Sequence, residues 1–350
     1  MRSKQLINVS VIVPCRNEEK YIGKCLDSIL QNDYSEGHIE VLVVDGMSED
    51  RTRTIVGEFA EKHNFIKLHD NLQKIVPTAM NIGIGNATGE IIIRMDAHST
   101  YAKDYILKCV QNLRDRQADN VGGVWITRPG DNSFMGQSIA LALSHPFGVG
   151  NAHFRIGLKE ARVVDTVPFG CYRKEVFGRI GLFNEHLVRN QDIELNLRLK
   201  KAGGKILLVP DIISYYHARS TLSSLAKNNF WNGCWVVYST RFAKLPFSPR
   251  HLIPLAFVMT LLGSLGLSLL FHPLIYLFLG VAGSHALANV MFSFGIARER
   301  GFSFFPFLIP TFLVLHLSYG VGSLWGIWKL FRKKIIATKR GSPATGEALP

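Results

Sequence analysis

Polar and apolar positions divide this chain into two regimes. Up to about residue 210, short apolar runs alternate with stretches whose apolar residues recur at helical spacing. Val9–Val13 predicts a first strand. Asn17 to Gln31 predicts a helix, with Tyr21, Ile22, Leu26, Ile29 and Leu30 on one face. Ile39–Val44 predicts a second strand, aliphatic but for Glu40. Helices are expected at Arg51–His63 and Thr78–Ile84, and strands at Phe65–His69 and Glu90–Met95, the last after the turn "GNATGE". Residues 100 to 210 continue as mixed α/β, closing with a helix over Asp192–Ala202, a Gly203-Gly204 stop and a strand over Lys205–Val209. Strands apolar on both faces, separated by helices, imply an α/β fold with a mostly parallel sheet and flanking helices.

The second regime begins near residue 250. Leu252–Phe271, Leu274–Ile296 and Phe302–Trp328 contain no Asp, Glu, Lys or Arg. Each reaches the roughly 20 residues a membrane-spanning helix needs. The chain is basic before the first stretch and after the last, which places both flanks on one side of a membrane. Three full spans conflict with that. Pro306, Pro310 and several glycines mark the third stretch as the partial, re-entrant or interfacial one. Expected, then, are two full spans and one partial one. Polar residues inside the stretches, His285 with Asn289 and His316 with Tyr319, are expected to hydrogen-bond between helices rather than to mark a ligand path.

Composition adds three points. The net charge of +13 is concentrated beside the apolar region, at Arg241, Lys244, Arg250, Lys329, Arg332, Lys333, Lys334, Lys339 and Arg340. That placement favours a lipid surface over nucleic acid. The five cysteines are odd in number and form no CxxC pair, which argues against a disulfide framework or structural zinc site and for reduced thiols. The start, "MRSKQLINVSVIVPCRNEEK", is broken by Pro14 and followed by charge, so it reads as a strand and not a signal peptide.

Candidate chemistry lies where the strands end. "PCRNEE" follows the first strand, "DGMSED" the second and "DAHS" the fourth. In parallel sheets, ligands bind at the carboxyl ends of the strands. Asp45 and Asp96 would open onto one crevice, and Asp96 with His98 offers an oxygen and a nitrogen ligand suited to Mn²⁺, less ideally to Mg²⁺. Alone, Asp96 is a turn residue and His98 a surface histidine; three stations in register favour ligation. "GIGNATG" approximates a dinucleotide fingerprint through Gly83, Gly85 and Gly89, but it precedes its strand instead of following one, which rejects an oxidoreductase.

"VSVIVPCRNEEKYIGKCLDSIL" followed by "VLVVDGMSEDRTRTI" resembles the opening of family 2 glycosyltransferases, which have the GT-A fold. "PTAMNIGIGNATGEIIIRMDAHS" resembles that family's approach to its DxD metal motif, and "FGCYRKEVFGRIGLFNEHLVRNQDIELNLRLKKAGGKI" its acceptor side. The DAH form and apolar tail most resemble the membrane-bound branch of succinoglycan-type glucosyltransferases. The resemblance implies that Pro14, Arg16, Asn17 and Glu18 line a nucleotide pocket. It implies that Asp45 binds the base with Ser48 nearby, and that Lys74 and Asn81 contact the nucleotide sugar. Asp96 and His98 would hold a divalent metal, Mn²⁺ or Mg²⁺, and the diphosphate. Asp192 matches the general base, with Gln191 where a Glu is common and Glu194 pointing elsewhere. A helix N-cap is the structural alternative for Asp192. The QxxRW-like segment is absent; "AKNNFWNGCW" stands there, with Phe230, Trp231 and Trp235, which argues for single-sugar transfer.

The implied organisation is a cytosolic GT-A domain at 1–235, a basic juxtamembrane linker at 236–251, transmembrane or interfacial helices at 252–330 and a basic, disordered tail at 331–350. The implied protein is an inverting, metal-dependent hexosyltransferase of polysaccharide assembly at the cytoplasmic face of the cell membrane. Its donor would be a UDP-glucose-like nucleoside diphosphate sugar and its acceptor a lipid-linked saccharide, with no nucleic-acid partner. A polyprenyl-phosphate acceptor and a non-catalytic membrane protein keeping the fold are the alternatives.

Overall fold

A computed structural model describes residues 7–242 and 249–340. The sheet holds nine strands: β1 (Val9–Cys15), β2 (Ile39–Asp45), β3 (Ile66–Asp70), β4 (Ile91–Arg94), β5 (Ser99–Tyr101), β6 (Asn120–Arg128), β7 (Arg162–Val163), β8 (Cys171–Arg173) and β9 (Ile206–His217). Their order is β3-β2-β1-β4-β8-β6-β9-β5, with β7 paired to β9. The first four strands in that order are parallel, as expected. From β8 onward the described pairings are antiparallel, so the sheet is mixed and not mostly parallel.

Alternation on the strands explains their doubly apolar reading. Val9, Val11 and Val13 of β1 join one core, with Val41 and Val43 of β2 and Ile91 and Ile93 of β4. Ile12, Leu42, Val44 and Ile92, pointing the other way, join a second core. The helices Ile22–Leu30 and Tyr105–Asp115 cover the first face, and Val76–Asn86 and Gln191–Lys201 the second. Glu40 belongs to neither core. Its carboxylate accepts from Ser10 Oγ at 2.6 Å and from Thr88 N and Oγ1 at 2.6 and 2.8 Å, stapling the sheet at the end opposite the strands' carboxyl ends.

The first helix begins at Ile22, five residues later than expected. Residues 17–19 are instead bonded to the loop after β2, and Asn17 takes a left-handed conformation (φ 54°) that no helix tolerates. β9 runs well past Val209, because Pro210 sits within a strand and does not end it.

By contacts the chain forms two units. Among the described residues, one comprises 7–126 and 153–217 and carries the parallel strands; the other comprises 127–152 and those from 218 to 340. The expected division at 235 was linear, whereas residues 127–152 belong with the C-terminal helices. Within that second unit the helices are Phe134–Leu143, Pro146–Val149, Leu222–Tyr238, Pro249–Leu267, Leu274–Arg300 and Phe305–Arg340. Two of them, over Leu274–Arg300 and Phe302–Arg332, are long and apolar enough to cross a membrane. The apolar helix of the first stretch, His251–Leu267, is shorter. The third stretch is therefore one continuous helix and not the re-entrant element expected. Pro306 lies in the helix's first turn, where a missing N–H costs nothing. Gly322 and Gly326 admit the backbone of Phe230 and Cys234, where any Cβ would collide. Those glycines are packing contacts, not breaks.

His285 Nε2 meets His316 Nδ1 at 2.9 Å, Asn289 Nδ2 donates to Ile309 O at 3.0 Å, and Tyr319 Oη meets His251 at 2.6 Å, so these polar groups pair between helices as expected. Trp235 is buried against Tyr238, and Lys329 lies over the Trp231 ring. All five cysteines are free and buried. Part of the basic linker, residues 243–248, and the last ten residues of the tail lie outside the described residues; the stretch 331–340 is helical.

Candidate active site

The carboxyl ends of β1, β2, β3 and β4 meet at one cleft of about 170 Å³ in the first unit. Its walls are loops bonded to one another. Gly46 N donates to Cys15 O at 2.8 Å and Asn71 N to Asp45 O at 2.8 Å, joining the three strand ends. Asn17 N donates to Ser48 Oγ at 2.8 Å, and Glu49 N returns to Asn17 Oδ1 at 2.9 Å. Glu18 N donates to Thr52 Oγ1 at 2.7 Å. Asn17, Met47 and Lys74, and farther along Phe169 and Asn190, have positive φ without being glycine. Such strain persists only where surrounding bonds over-determine the backbone, and it gathers at functional sites.

Of the expected site residues, Pro14, Arg16, Glu18, Lys74, Asp96 and His98 line the cleft. Four other expected residues hold the walls instead. Asp45 is fully buried; its carboxylate accepts from Ser48 N at 2.9 Å, from Ser48 Oγ and from Arg53 Nη1 at 2.8 Å. Arg53 also bonds Asp70 at 2.8 Å, so it clamps the ends of β2 and β3. Ser48 and Asn17 are consumed in the same lacing. Asn81 exchanges two hydrogen bonds with the backbone of Phe183, each 2.9 Å, and adds one to Glu185.

At the end of β4, Arg94 Nε and Nη2 donate to the two oxygens of Asp96 at 2.7 and 3.0 Å. The pair is largely buried, with side chains 10% and 15% exposed. Burial opposes the charge on Arg94, but Asp96 and then Asp192 outweigh it and raise its pKa. Asp192 is therefore close enough to act electrostatically on this pair. It sits in the first turn of the helix Gln191–Lys201, where Oδ1 accepts from Ile193 N at 2.9 Å. Neighbouring Gln191 is 6% exposed with Oε1 unpartnered, and Asn190 Nδ2 is likewise unpartnered. Glu194 points away, paired with Arg198 at 2.7 Å.

His98 Nδ1 faces Glu18 Oε1 at 3.3 Å. Among the described residues no three His, Cys, Asp or Glu side chains are grouped to hold a metal by themselves. Glu18, Asp96 and His98 nevertheless line one cleft, supplying two carboxylates and an imidazole. Such a donor set fits an ion that completes its shell with phosphate oxygens and water.

Among the residues of the cleft that were not anticipated, Arg94 and Asn71 bear on its chemistry. Arg94 appears in the quoted motif "IIIRMDAHS", but a lone arginine ending a strand carries no signal until its partner is known. Asn71 lines the cleft, is 1% exposed, donates through Nδ2 to Ile75 O at 2.8 Å and leaves Oδ1 unpartnered. The sequence shows only a polar residue after a strand.

Comparison with known proteins follows the same lines. Residues 10–181 match the model of the family described as Glycosyl transferase family 2. A dolichyl N-acetyl-alpha-D-glucosaminyl phosphate 3-beta-D-2,3-diacetamido-2,3-dideoxy-beta-D-glucuronosyltransferase of Methanococcus voltae is 32% identical over 263 residues, 73% of this chain and 80% of that protein. Succinoglycan biosynthesis protein ExoA of Rhizobium meliloti (strain 1021) is 26% identical over 343 residues, 96% of this chain and all of that one. Among solved structures, mannosyltransferase PcManGT from Pyrobaculum calidifontis, in complex with GDP-Man and Mn²⁺, superposes with a TM-score of 0.57 at 20% identity, covering 91% of this chain and 87% of its own. S. aureus TarS 1-349 in complex with UDP-GlcNAc gives 0.52 at 20%, covering 94% and 92%. At that identity the likeness shows the fold, which is GT-A.

Proposed function

The chain belongs to glycosyl transferase family 2 and is a glycosyltransferase, and we propose that it moves a hexose from a nucleoside diphosphate sugar to a lipid-linked saccharide with inversion. The observation that carries this reading is the buried Arg94–Asp96 pair at the end of β4, which lines one cleft with Glu18, Lys74 and His98. The Asp96 carboxylate is clasped and that of Asp192 is partly exposed at a helix start, two environments that suit two roles.

Asp192 is the general base in this proposal. An acceptor hydroxyl is a poor nucleophile at neutral pH, and a carboxylate within reach takes its proton as the new bond forms. A single base opposite the leaving group gives direct displacement and hence inversion. Arg94 stays charged throughout and fixes the Asp96 carboxylate in one rotamer. Arg16 and Lys74 bring positive charge to the cleft mouth for the diphosphate. Asn71 Oδ1 offers an acceptor to a donor group of the nucleotide.

A divalent ion arriving with the nucleotide, held by Asp96 and His98, would neutralise the departing diphosphate. PcManGT, with Mn²⁺ and GDP-Man bound, makes Mn²⁺ or Mg²⁺ the ions to test. The donor proposed is UDP-glucose or a relative, in line with the UDP-GlcNAc complex of TarS. A lipid-linked acceptor is in line with the dolichyl phosphate substrate named for the Methanococcus voltae relative and with two helices able to cross a membrane. The membrane proposed is the cell membrane, with the sheet-bearing unit in the cytoplasm. The experiment is a panel of radiolabelled nucleotide sugars incubated with membranes containing the chain. Label entering an organic-extractable product from one UDP-hexose, dependent on added Mn²⁺ or Mg²⁺, is the expected result. Incorporation from none of them overturns the proposal.

A further inference from the structure

Beside the cleft lies an aromatic cage that the transfer chemistry does not use. The guanidinium carbon of Arg155 is 4.5 Å from the centre of the Trp125 ring, 5.0 Å from Tyr216 and 5.7 Å from Phe154. Trp125 and Tyr216 are stacked at 4.8 Å. Tyr216 in turn meets the His98 ring edge-on at 6.0 Å, so the cage adjoins the cleft through one shared wall.

Arg155 makes no ion pair with a carboxylate among the described residues, and its Nη1 is buried without a partner. Trp125 Nε1, on the adjacent ring, is buried and unpartnered as well. Both vacant groups are donors. A guanidinium without a carboxylate partner costs free energy in an apolar surround, and burial here pulls its pKa down against the hydrogen bond it donates to Tyr216. The flat ring faces stabilise the cation and hold it in one plane. Two unpartnered donors, one of them on a cation, suit an acceptor-rich anion. The segment around the cage adds His153, Lys159 and Arg162 against a single Glu160.

We propose that Arg155, with the indole N–H of Trp125, binds the phosphate or diphosphate group of the acceptor. The donor's diphosphate has its own cations in Arg16 and Lys74, which line the cleft, whereas Arg155 does not. The caged guanidinium is thus left for the second anionic substrate. This assignment rests on the reading of the chain as a transferase with a lipid-phosphate acceptor.

The test uses the full chain in detergent, titrated separately with geranylgeranyl diphosphate and with UDP plus Mn²⁺. Arg155→Gln should weaken the prenyl diphosphate roughly tenfold or more, the loss expected for one charge-assisted hydrogen bond, while UDP affinity stays unchanged. Trp125→Phe, which keeps a ring but removes the N–H, should give a smaller loss. Arg155→Lys should fall between, since an ammonium lacks the planar fork. Retained UDP binding shows that each variant is folded. Wild-type affinity of Arg155→Gln for the prenyl diphosphate overturns the assignment, and so does an equal loss of UDP. Absence of UDP binding in the wild-type chain would instead strike the donor reading, so the two ideas fail separately.

Discussion

Arg94 and Asp96, two residues apart at the end of β4, face each other with both carboxylate oxygens engaged at 2.7 and 3.0 Å. A carboxylate so held keeps its outer lone pairs in a fixed direction. Arg94→Lys preserves the charge but loses the fork. It should lower kcat roughly 10- to 100-fold, as the loss of a partner that orients a metal ligand does, and raise the Mn²⁺ concentration needed for half activity. Steady-state rates across a Mn²⁺ titration check this.

Asp192→Asn keeps the shape of the helix start, because an amide oxygen can still accept from Ile193 N. It removes the base. Transfer should fall by roughly 10²- to 10⁴-fold with nucleotide-sugar binding nearly intact. Equal turnover in the variant would refute the assignment.

Asp45 supplies a contrasting carboxylate. It is closed off from the cleft by Ser48 and Arg53. Asp45→Asn should therefore lower stability by about 1.5–3 kcal/mol through the lost charge-assisted bonds. Its effect on nucleotide affinity should follow from the loosened loop. Thermal unfolding set beside UDP titration separates this from a direct base contact, which would cost affinity without stability.

Glu40 sets a pH dependence. Burial works to raise its pKa, but hydrogen bonds from Ser10 and Thr88 outweigh it, and the folded value lies below the ordinary one. A depressed carboxylate contributes stability above its unfolded pKa of about 4.3 and loses it as pH falls through the folded value. Glu40→Gln should be less stable than the wild type at pH 7, with the difference shrinking below about pH 4. Urea unfolding across that range reads it directly.

Gly322→Val places a branched side chain against the Phe230 backbone. The helix Leu222–Tyr238 should separate from the last helix, and the chain should lose thermal stability in detergent while Gly263→Ala, with open space at that position, leaves it unchanged.

Much of the first unit was legible in the sequence, because strands buried on both faces and helices with one apolar stripe leave distinct periodicities. The antiparallel half was less so. β8 has three residues and β7 two, too short for any period. At the site, residue types at strand ends located the cleft but not the pairings within it. Asp45 and Asp96 look alike in sequence; only the fold brings Arg53 onto one and Arg94 onto the other. The third apolar stretch misled for a related reason. Glycine and proline mark breaks in an isolated helix, and the close neighbours that give Gly322 and Gly326 another purpose come from residues almost a hundred positions earlier.

The excursion of residues 127–152 into the helical unit bears on how the chain is made. On the ribosome, that segment emerges before the helices it packs with, which begin only at Leu222. Phe134–Leu143 must wait, apolar and uncovered, while the rest of the sheet is synthesised. A chaperone or the bilayer surface has to shelter it meanwhile. Cutting the gene at any single codon strands this segment, so a soluble catalytic fragment calls for replacing 127–152 with a short linker as well as removing the C-terminal helices.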